Sequence, residues 1–353
     1  MVSQEVLLIL MPWTPPAEWV SSLIKSIPNI RIEIYQIDRS AAELPTEISP
    51  ELWKDITSLF TWKLFPTKDL APNLRYVQLL SAGCNHASEL PLFEDTNKVA
   101  LCTANGVHPP QITEWVFMTF LAFQHHLPQY LDYQKVGKWV DPVSDEDTED
   151  AVGLRVGIMG YGSIGRQCAR VAKAFGMDVY AFTMRPRVTP ASRKAHAFSE
   201  PGLGDAGGEF PSRWFWGKDQ LNEFLSSDLD LLVITVPLTR ETRGIISREQ
   251  FALLSKKKTY VSNIARGAVI NTEDLVAALE AGQIRGAALD VTDPEPLPAD
   301  HKLWGYKNVI ITPHCSGNST QYNERALKIL SSNLERRAQG QGLINQVDKA
   351  LGY

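Results

Sequence analysis

A chain of 353 residues, 44% of them hydrophobic, exceeds what one ordinary core organises, so two domains are expected, each able to bury a core of its own. A net charge of −5 supplies no basic field for nucleic acid or an anionic membrane and points to small-molecule partners. No apolar run approaches the roughly 18 residues of a membrane-spanning helix. The opening MVSQEVLLILMPW lacks a basic segment and a small-residue cleavage site, and Cys84, Cys102, Cys168 and Cys315 stand too far apart for a zinc motif or a disulfide framework. A cytoplasmic protein with reduced thiols and no metal is expected.

The chain opens on a buried-strand run, Val6 to Leu10, a helix start at Pro15-Pro16 leading into Glu18 to Ile27, and an alternating strand, Ile30 to Ile37. Leu59 to Trp62, Leu74 to Leu80 and Val99 to Thr103 add three strand candidates, so an α/β domain without a phosphate loop fills about the first 110 residues. Gln111 to Leu131 reads as one long crossing helix after Pro109-Pro110. His108, His125 and His126 lie at or on it with no partner motif, and packing is the reading for each. The acidic run DPVSDEDTED, 141–150, reads as a solvated loop without chemistry.

Leu154 to Arg187 then reads as strand, glycine turn, helix and strand without a gap. Val156 to Met159 suits a central parallel strand, and Gly160, Gly162 and Gly165 stand at the G-x-G-x-x-G offsets where the helix opens. The first glycine permits the tight turn, the second lets a pyrophosphate approach the backbone at the helix N-terminus, and the third lets helix and strand pack closely. Ile164, Ala169, Val171, Ala172 and Phe175 form its apolar face, and Gly176 ends the helix before the strand Asp178 to Phe182. A dinucleotide site follows, with Gly160, Tyr161, Gly162, Ser163, Ile164 and Gly165 as its phosphate turn. Val188 to Leu225 reads as a long loop holding one short aromatic strand, RWFW. Strands recur at Leu229 to Val236, Thr259 to Asn263, Gly286 to Val291 and Val309 to Thr312, with helices at Arg248 to Leu254 and Thr272 to Ala281, which implies a parallel sheet. Ser319 to Gln339 is a last helix, expected to return to the first domain.

Ligands of an open parallel sheet bind beyond the carboxyl ends of its strands. There the chain places the glycine turn, then Pro237-Leu238-Thr239, Ala265-Arg266-Gly267, Asp293 to Pro296, and Pro313-His314. Among these only Arg266, Glu295 and His314 can respectively hold an anion, orient an imidazole and exchange a proton near neutral pH. They suit a keto acid beside a nicotinamide: His314 donates to the ketone oxygen, Arg266 steadies carboxylate and carbonyl, and Glu295 favours the charged imidazole. Further cofactor contacts are assigned by position to Val236, Pro237, Thr242, Ile264, Ala265 and Ser316, with Arg266 and His314 facing cofactor and substrate alike. Cys315 reads as small packing and not as a nucleophile.

Cofactor choice is read at the end of the second strand of the βαβ unit. NAD-binding folds place an acidic residue roughly 20 residues past the glycine turn, where it accepts from the ribose 2′-hydroxyl and repels a 2′-phosphate. Here Thr183 stands instead, followed by Arg185 and Arg187, with Arg193 and Lys194 further on. A hydroxyl and two guanidinium groups favour NADP(H), with NAD(H) the second choice.

The segments GYGSIG, VPLTRETRGII, NIARGAVINTEDLVAALEAGQIRGAALDVTDPEP and NVIITPHCSGNS, spread over most of 152–335, resemble the D-isomer-specific 2-hydroxyacid dehydrogenase family in order and spacing. The resemblance implies that Arg266, Glu295 and His314 take catalytic roles and that Asp290 lies at the nicotinamide carboxamide. LLSAGCNH resembles the family's substrate loop, which assigns the backbone amides around Ala82 and Gly83 to the substrate carboxylate, and TANGVHPPQITEW resembles the interdomain segment, with Glu114 in its usual place. The implied fold is a Rossmann cofactor domain, 126–317, inserted in a flavodoxin-like substrate domain, 1–125 and 318–353, the two closing over a cleft. A homodimer through the cofactor domain and reduction of a small 2-keto acid, with glyoxylate and hydroxypyruvate as candidates, are implied too. Cys315 replaces a common aliphatic residue, Trp115 replaces a histidine that often follows the glutamate, and 188–225 is longer than usual. The rival reading is a non-catalytic dinucleotide sensor like the corepressors built on this fold; a formate dehydrogenase fits less well, because Cys315 and Ser316 follow His314.

Overall fold

A computed structural model describes residues 4–348 except 85, 88, 143, 145 and 196, so Asn85 of LLSAGCNH and Val143 and Asp145 of the acidic run lie outside the described residues. The chain divides into two units, one holding the residues up to Val107, Ala197 and Phe198, and the residues from Thr320 onward, the other His108–Ala195 and Ser199–Ser319.

In the first unit β1 (Glu5–Met11), β2 (Ile30–Gln36), β3 (Ser58–Thr61), β4 (Tyr76–Leu79) and β5 (Ala100–Cys102) pair in parallel in the order β2-β1-β3-β4-β5. That order is the flavodoxin-like one. Side chains of β1 alternate between two buried faces: Val6, Leu8 and Leu10 join the core that holds Leu52, Trp53 and Phe93, while Leu7, Ile9 and Met11 join the one that holds Leu23 and Leu330. A strand buried on both faces reads as an unbroken apolar run, which is why β1 was legible. The terminal helix Tyr322–Ala338 covers the second of these faces with Leu327, Ile329, Leu330 and Leu334, so it returns to the first unit. Asn333 fixes it there from a fully buried position, donating to Gln78 Oε1 at 3.1 Å and to the Ile344 carbonyl at 3.0 Å.

The second unit holds seven parallel strands: β6 (Arg155–Met159), β7 (Asp178–Thr183), β8 (Arg213–Trp216), β9 (Leu231–Ile234), β10 (Tyr260–Asn263), β11 (Gly286–Leu289) and β12 (Val309–Ile311). Their order, β12-β11-β10-β9-β6-β7-β8, is the doubly wound Rossmann arrangement extended by one strand. The chain reverses direction across the sheet beside β6, and the glycine turn leaves that strand. One face packs on Ala169 and Ala172 of the glycine-motif helix Ser163–Ala174, the other on Phe251, Leu254, Leu275 and Leu279 of two further helices.

Two features depart from the expected layout. The crossing helix is two helices, Pro109–Gln124 and Leu127–Lys135, because the backbone turns left-handed at His126 and Pro128 begins a new first turn. The first of them groups with the second unit, so the division falls after Val107 and not near residue 125. Its Ile112, Trp115, Val116, Phe117 and Phe120 share a core with the glycine-motif helix, which decides the matter physically.

The long stretch after β7 contains the aromatic strand as expected, now edge strand β8, and also a helix, Leu221–Leu225. Between them and β7, the stretches 188–195 and 199–212 are anchored on the glycine-motif helix. Arg166 donates to the Asp205 and Arg193 carbonyls at 2.5 and 2.6 Å, Arg170 donates to the Gly204 carbonyl, and Gln167 accepts from Gly204 N. Asp205 is the centre of this anchor. Its buried carboxylate accepts from the Tyr161 hydroxyl at 2.7 Å and from the backbone N–H groups of Glu209 and Phe210 at 2.9 and 3.1 Å. Asp205→Ala leaves those donors in a dry site, so a loss of about 3 kcal/mol in denaturant unfolding is expected, together with faster proteolysis of 188–212. An unchanged unfolding midpoint would remove Asp205 from this role.

Candidate active site

Two of the three glycines of the turn, Gly160 and Gly165, are required by a contact. Gly160 has φ +106°, and a Cβ there would stand 2.6 Å from Thr235 Oγ1 and 2.9 Å from Val236 N. A Cβ on Gly165 would meet the Gly160 carbonyl oxygen at 2.2 Å and Ile158 at 2.9 Å, so helix and strand could not approach as they do. Gly162, at the helix N-cap, has open space where its Cβ would be. A cradle with room at the helix N-terminus suits a pyrophosphate, whose charge the exposed N–H groups and the helix dipole favour. The turn therefore fits a dinucleotide.

Tyr161 and Ile164 turn their side chains away from that space. Tyr161 is buried against Trp214 at 4.8 Å between ring centroids and bonded to Asp205, and burial followed by the carboxylate pushes its hydroxyl pKa well up. Ile164 packs into the core beneath the helix, and Ser163 is partly exposed in its first turn. Across the sheet end, Val236 is buried and Pro237 exposed. Thr242 is buried, its hydroxyl donating to the Pro237 carbonyl at 2.6 Å and accepting from Thr239 N at 2.8 Å, so it shapes this loop from within.

At the end of β7 the Thr183 hydroxyl donates to the Arg185 carbonyl at 2.7 Å and bends the chain back. Arg185 is exposed, with no hydrogen bond or ion pair of its side chain among the described residues. Arg187 is engaged, donating to the Ser192 carbonyl at 2.6 Å. Among the described residues no carboxylate occupies the strand end.

Arg266 follows β10 and is exposed, with Nη1 on the Ala265 carbonyl at 2.7 Å. Its loop is fixed by Asn263, a buried side chain that the sequence reading passed over: Oδ1 accepts from Ala265 N at 3.1 Å and Nδ2 donates to the Arg266 carbonyl at 3.2 Å. Ile264 and Ala265 are buried beneath. Gly267 then lets this loop lie on the next one, for a Cβ there would fall 1.9 Å from the Thr292 carbonyl oxygen and 2.5 Å from Asp293 N.

The loop so reached carries Glu295. Its Oε1 lies 2.7 Å from His314 Nδ1, and its Oε2 accepts from Thr292 N at 3.3 Å. Both side chains are more than two-fifths exposed, His314 by 48% and Glu295 by 41%, so the pair meets solvent and could meet a substrate. With Nδ1 turned to the carboxylate, the outward nitrogen is Nε2, the one available for proton exchange. His314 itself has φ +52°, a left-handed conformation that costs a side-chain-bearing residue on the order of 1 kcal/mol. Asp290 and Ser316 lie beneath it, both buried and bonded to each other. Ala82 and Gly83 belong to the first unit, in the turn after β4, where Ser81 donates to the Gly83 carbonyl at 2.7 Å.

The D-isomer specific 2-hydroxyacid dehydrogenase NAD-binding domain matches residues 117–201 and 214–316. The chain belongs to that family. The glyoxylate/hydroxypyruvate reductase A of Photorhabdus laumondii is 30% identical over 353 residues, covering 97% of this chain and 98% of its own. A D-isomer specific 2-hydroxyacid dehydrogenase of Xanthobacter autotrophicus, solved with NADPH, superposes with a TM-score of 0.77 at 26% identity, covering 99% of this chain and 100% of that one. An NADPH-dependent glyoxylate/hydroxypyruvate reductase of Sinorhizobium meliloti, solved with NADP and sulfate, gives 0.72 at 25% identity with 99% and 100% coverage. This family member is an NAD(P)-dependent oxidoreductase of 2-hydroxy acids, and a purely sensory role is not favoured. No helix among the described residues is long and apolar enough to cross a membrane.

Gly267→Ala tests the seating of the Arg266 loop. A displacement on the order of 1 Å at a catalytic group is worth roughly 100-fold in rate, and a loss of that order is expected in a variant that still folds. Parental turnover would show that the close approach is dispensable.

Proposed function

We propose that this protein reduces small 2-keto acids of the glyoxylate and hydroxypyruvate class to D-2-hydroxy acids, using NADPH in preference to NADH. The observation that carries this reading is the His314–Glu295 pair, 2.7 Å apart and open to solvent at the carboxyl end of a sheet whose glycine turn has room for a dinucleotide. The relatives named as glyoxylate/hydroxypyruvate reductases support the substrate class, and the NADP complexes support the cofactor.

When bound, the nicotinamide would supply the hydride. Gly160 to Gly165 would hold the pyrophosphate, the loops at Val236-Pro237 and Ile264-Ala265 would line the cofactor, and Arg185 and Arg187 would meet the 2′-phosphate that Thr183 leaves unopposed. Arg266 holds the substrate carboxylate. As negative charge grows on the ketone oxygen, His314 Nε2 delivers a proton to it, while Glu295 keeps Nδ1 engaged and fixes the ring plane. In the oxidative direction the same nitrogen takes the proton back.

Two finer statements belong to the proposal. The second unit exposes Met118, Leu127, Leu131, Val136, Trp139 and Val140, with Trp139 as much as 93% exposed, which supports a homodimer through this unit. A reducing, cytoplasmic setting agrees with cysteines in the thiol form, and burial pushes the Cys102 and Cys168 thiols up to about 12, which makes them inert.

A panel of 2-keto acids followed at the nicotinamide absorbance should show turnover with at least one small member and higher efficiency with NADPH. His314→Ala should lower turnover on the order of 100-fold or more; unchanged turnover would remove the proton donor. Exchanging Arg185 and Arg187 for alanine removes charge-assisted contacts to the phosphate, along with the Arg187 bond to the Ser192 carbonyl, so the Michaelis constant for NADPH should rise roughly tenfold or more and well beyond any rise for NADH. A parental preference for NADH would overturn the cofactor assignment.

A further inference from the structure

Asp290 has no assigned part in proton transfer, yet the structure places it directly under the proton donor. Only 2% of it is exposed, at the end of β11, and both carboxylate oxygens point into the turn 312–316. Oδ1 accepts from Thr312 Oγ1 at 2.6 Å and from Cys315 N at 2.8 Å. Oδ2 accepts from Ser316 N at 3.0 Å and from Ser316 Oγ at 2.5 Å. The main chain of Asp290 adds a fifth tie, its carbonyl accepting from His314 N at 2.8 Å. An ionised carboxylate offers about four lone-pair sites. All four are occupied by the turn that carries His314.

The consequence concerns backbone shape. His314 stands in the left-handed region, which is unfavourable for a residue with a side chain and is held here by the bonds of its turn to Asp290. A residue in that conformation followed by two N–H groups aimed at one anion is a backbone nest, and here the anion is the protein's own carboxylate. Withdrawing it removes what holds His314 left-handed, and the imidazole loses the direction that brings Nδ1 onto Glu295.

We propose that Asp290 is a positioning residue for the proton donor: its buried carboxylate locks the turn Thr312–Ser316 and thereby aims the His314 imidazole. This rests on the reading of His314 as the donor, and it gives the carboxylate a different part from the carboxamide contact that the family resemblance implies. Asp290→Asn is the informative change, since it keeps size and packing but replaces one accepting oxygen by an NH2 that cannot receive an N–H. Turnover falls on the order of 10-fold or more, while the Michaelis constant for the keto acid and the dissociation constant for NADPH, read by protein fluorescence, stay within about threefold.

The decisive comparison is made in the His314→Ala background. A residue that acts through His314 has nothing left to position there, so Asp290→Asn adds no further loss to the residual rate. Ser316→Ala, which removes one of the four donors, lowers turnover less than Asp290→Asn does, and the two changes combined equal Asp290→Asn alone. Parental turnover in Asp290→Asn, or an equal further loss on top of His314→Ala, overturns the proposal. Weakened NADPH binding with turnover retained overturns it as well, in favour of direct contact with the cofactor. Full turnover in His314→Ala by itself refutes the donor reading and is distinguishable from each of these.

Discussion

A parallel strand buried on both faces has nowhere to carry chemistry except its ends. In the second unit Val156, Ile158, Leu231 and Val233 pack to one side of the sheet and Met159, Leu232 and Ile234 to the other, so every functional group must stand on a loop leaving a carboxyl end. Those loops are short and converge because the strands are parallel and adjacent. The glycine turn, the Arg266 loop, the Glu295 loop and the His314 turn follow from this single constraint, and so does the spacing that makes them recognisable in a linear sequence.

What the sheet does not supply is rigidity in the loops. The groups proposed to meet substrate, Arg266, Glu295 and His314, are all exposed, and exposed side chains on loops are mobile unless something holds the backbone beneath them. Two of these loops have a buried polar support, Asn263 under Arg266 and Asp290 under His314, and Thr242 serves the segment after β9 in the same way. Asp205 does the same for the insertion that covers the glycine-motif helix. A polar group buried with all its partners made is strongly directional, because losing one partner leaves a donor in a dry site. The molecule thus separates supporting residues, which are buried and saturated, from reacting residues, which are open.

That separation also explains what could be read in advance. Exposed chemistry at strand ends announces itself by residue type and position, so the pairing of Glu295 with His314 was legible, and the offsets of Gly160 and Gly165 forecast contacts that a Cβ would make impossible. Asp290 was noticed only through a family resemblance, and Asn263 not at all, since their meaning lies in bonds to residues distant in sequence or hidden in a turn. Tyr161 was grouped with the cofactor contacts for its place between two glycines, although its side chain is drawn the other way by Asp205, 44 residues on. The break at His126 was available in principle, because Pro128 has no N–H for the Gln124 carbonyl and a helix cannot run through it unbroken, but the apolar run through Leu131 outweighed it in the reading. The division after Val107 depends on helix packing against the glycine-motif helix, which no local pattern records.

The central claim is direct reduction at the carbonyl carbon with stereochemical control by fixed protein groups. Single turnover of hydroxypyruvate with NADPH deuterated at both nicotinamide C4 positions tests it most directly, with the product analysed by mass spectrometry and chiral chromatography. The expected product is D-glycerate carrying one deuterium at C2. Glycerate without deuterium, or a deuterated product of L configuration, would contradict the account.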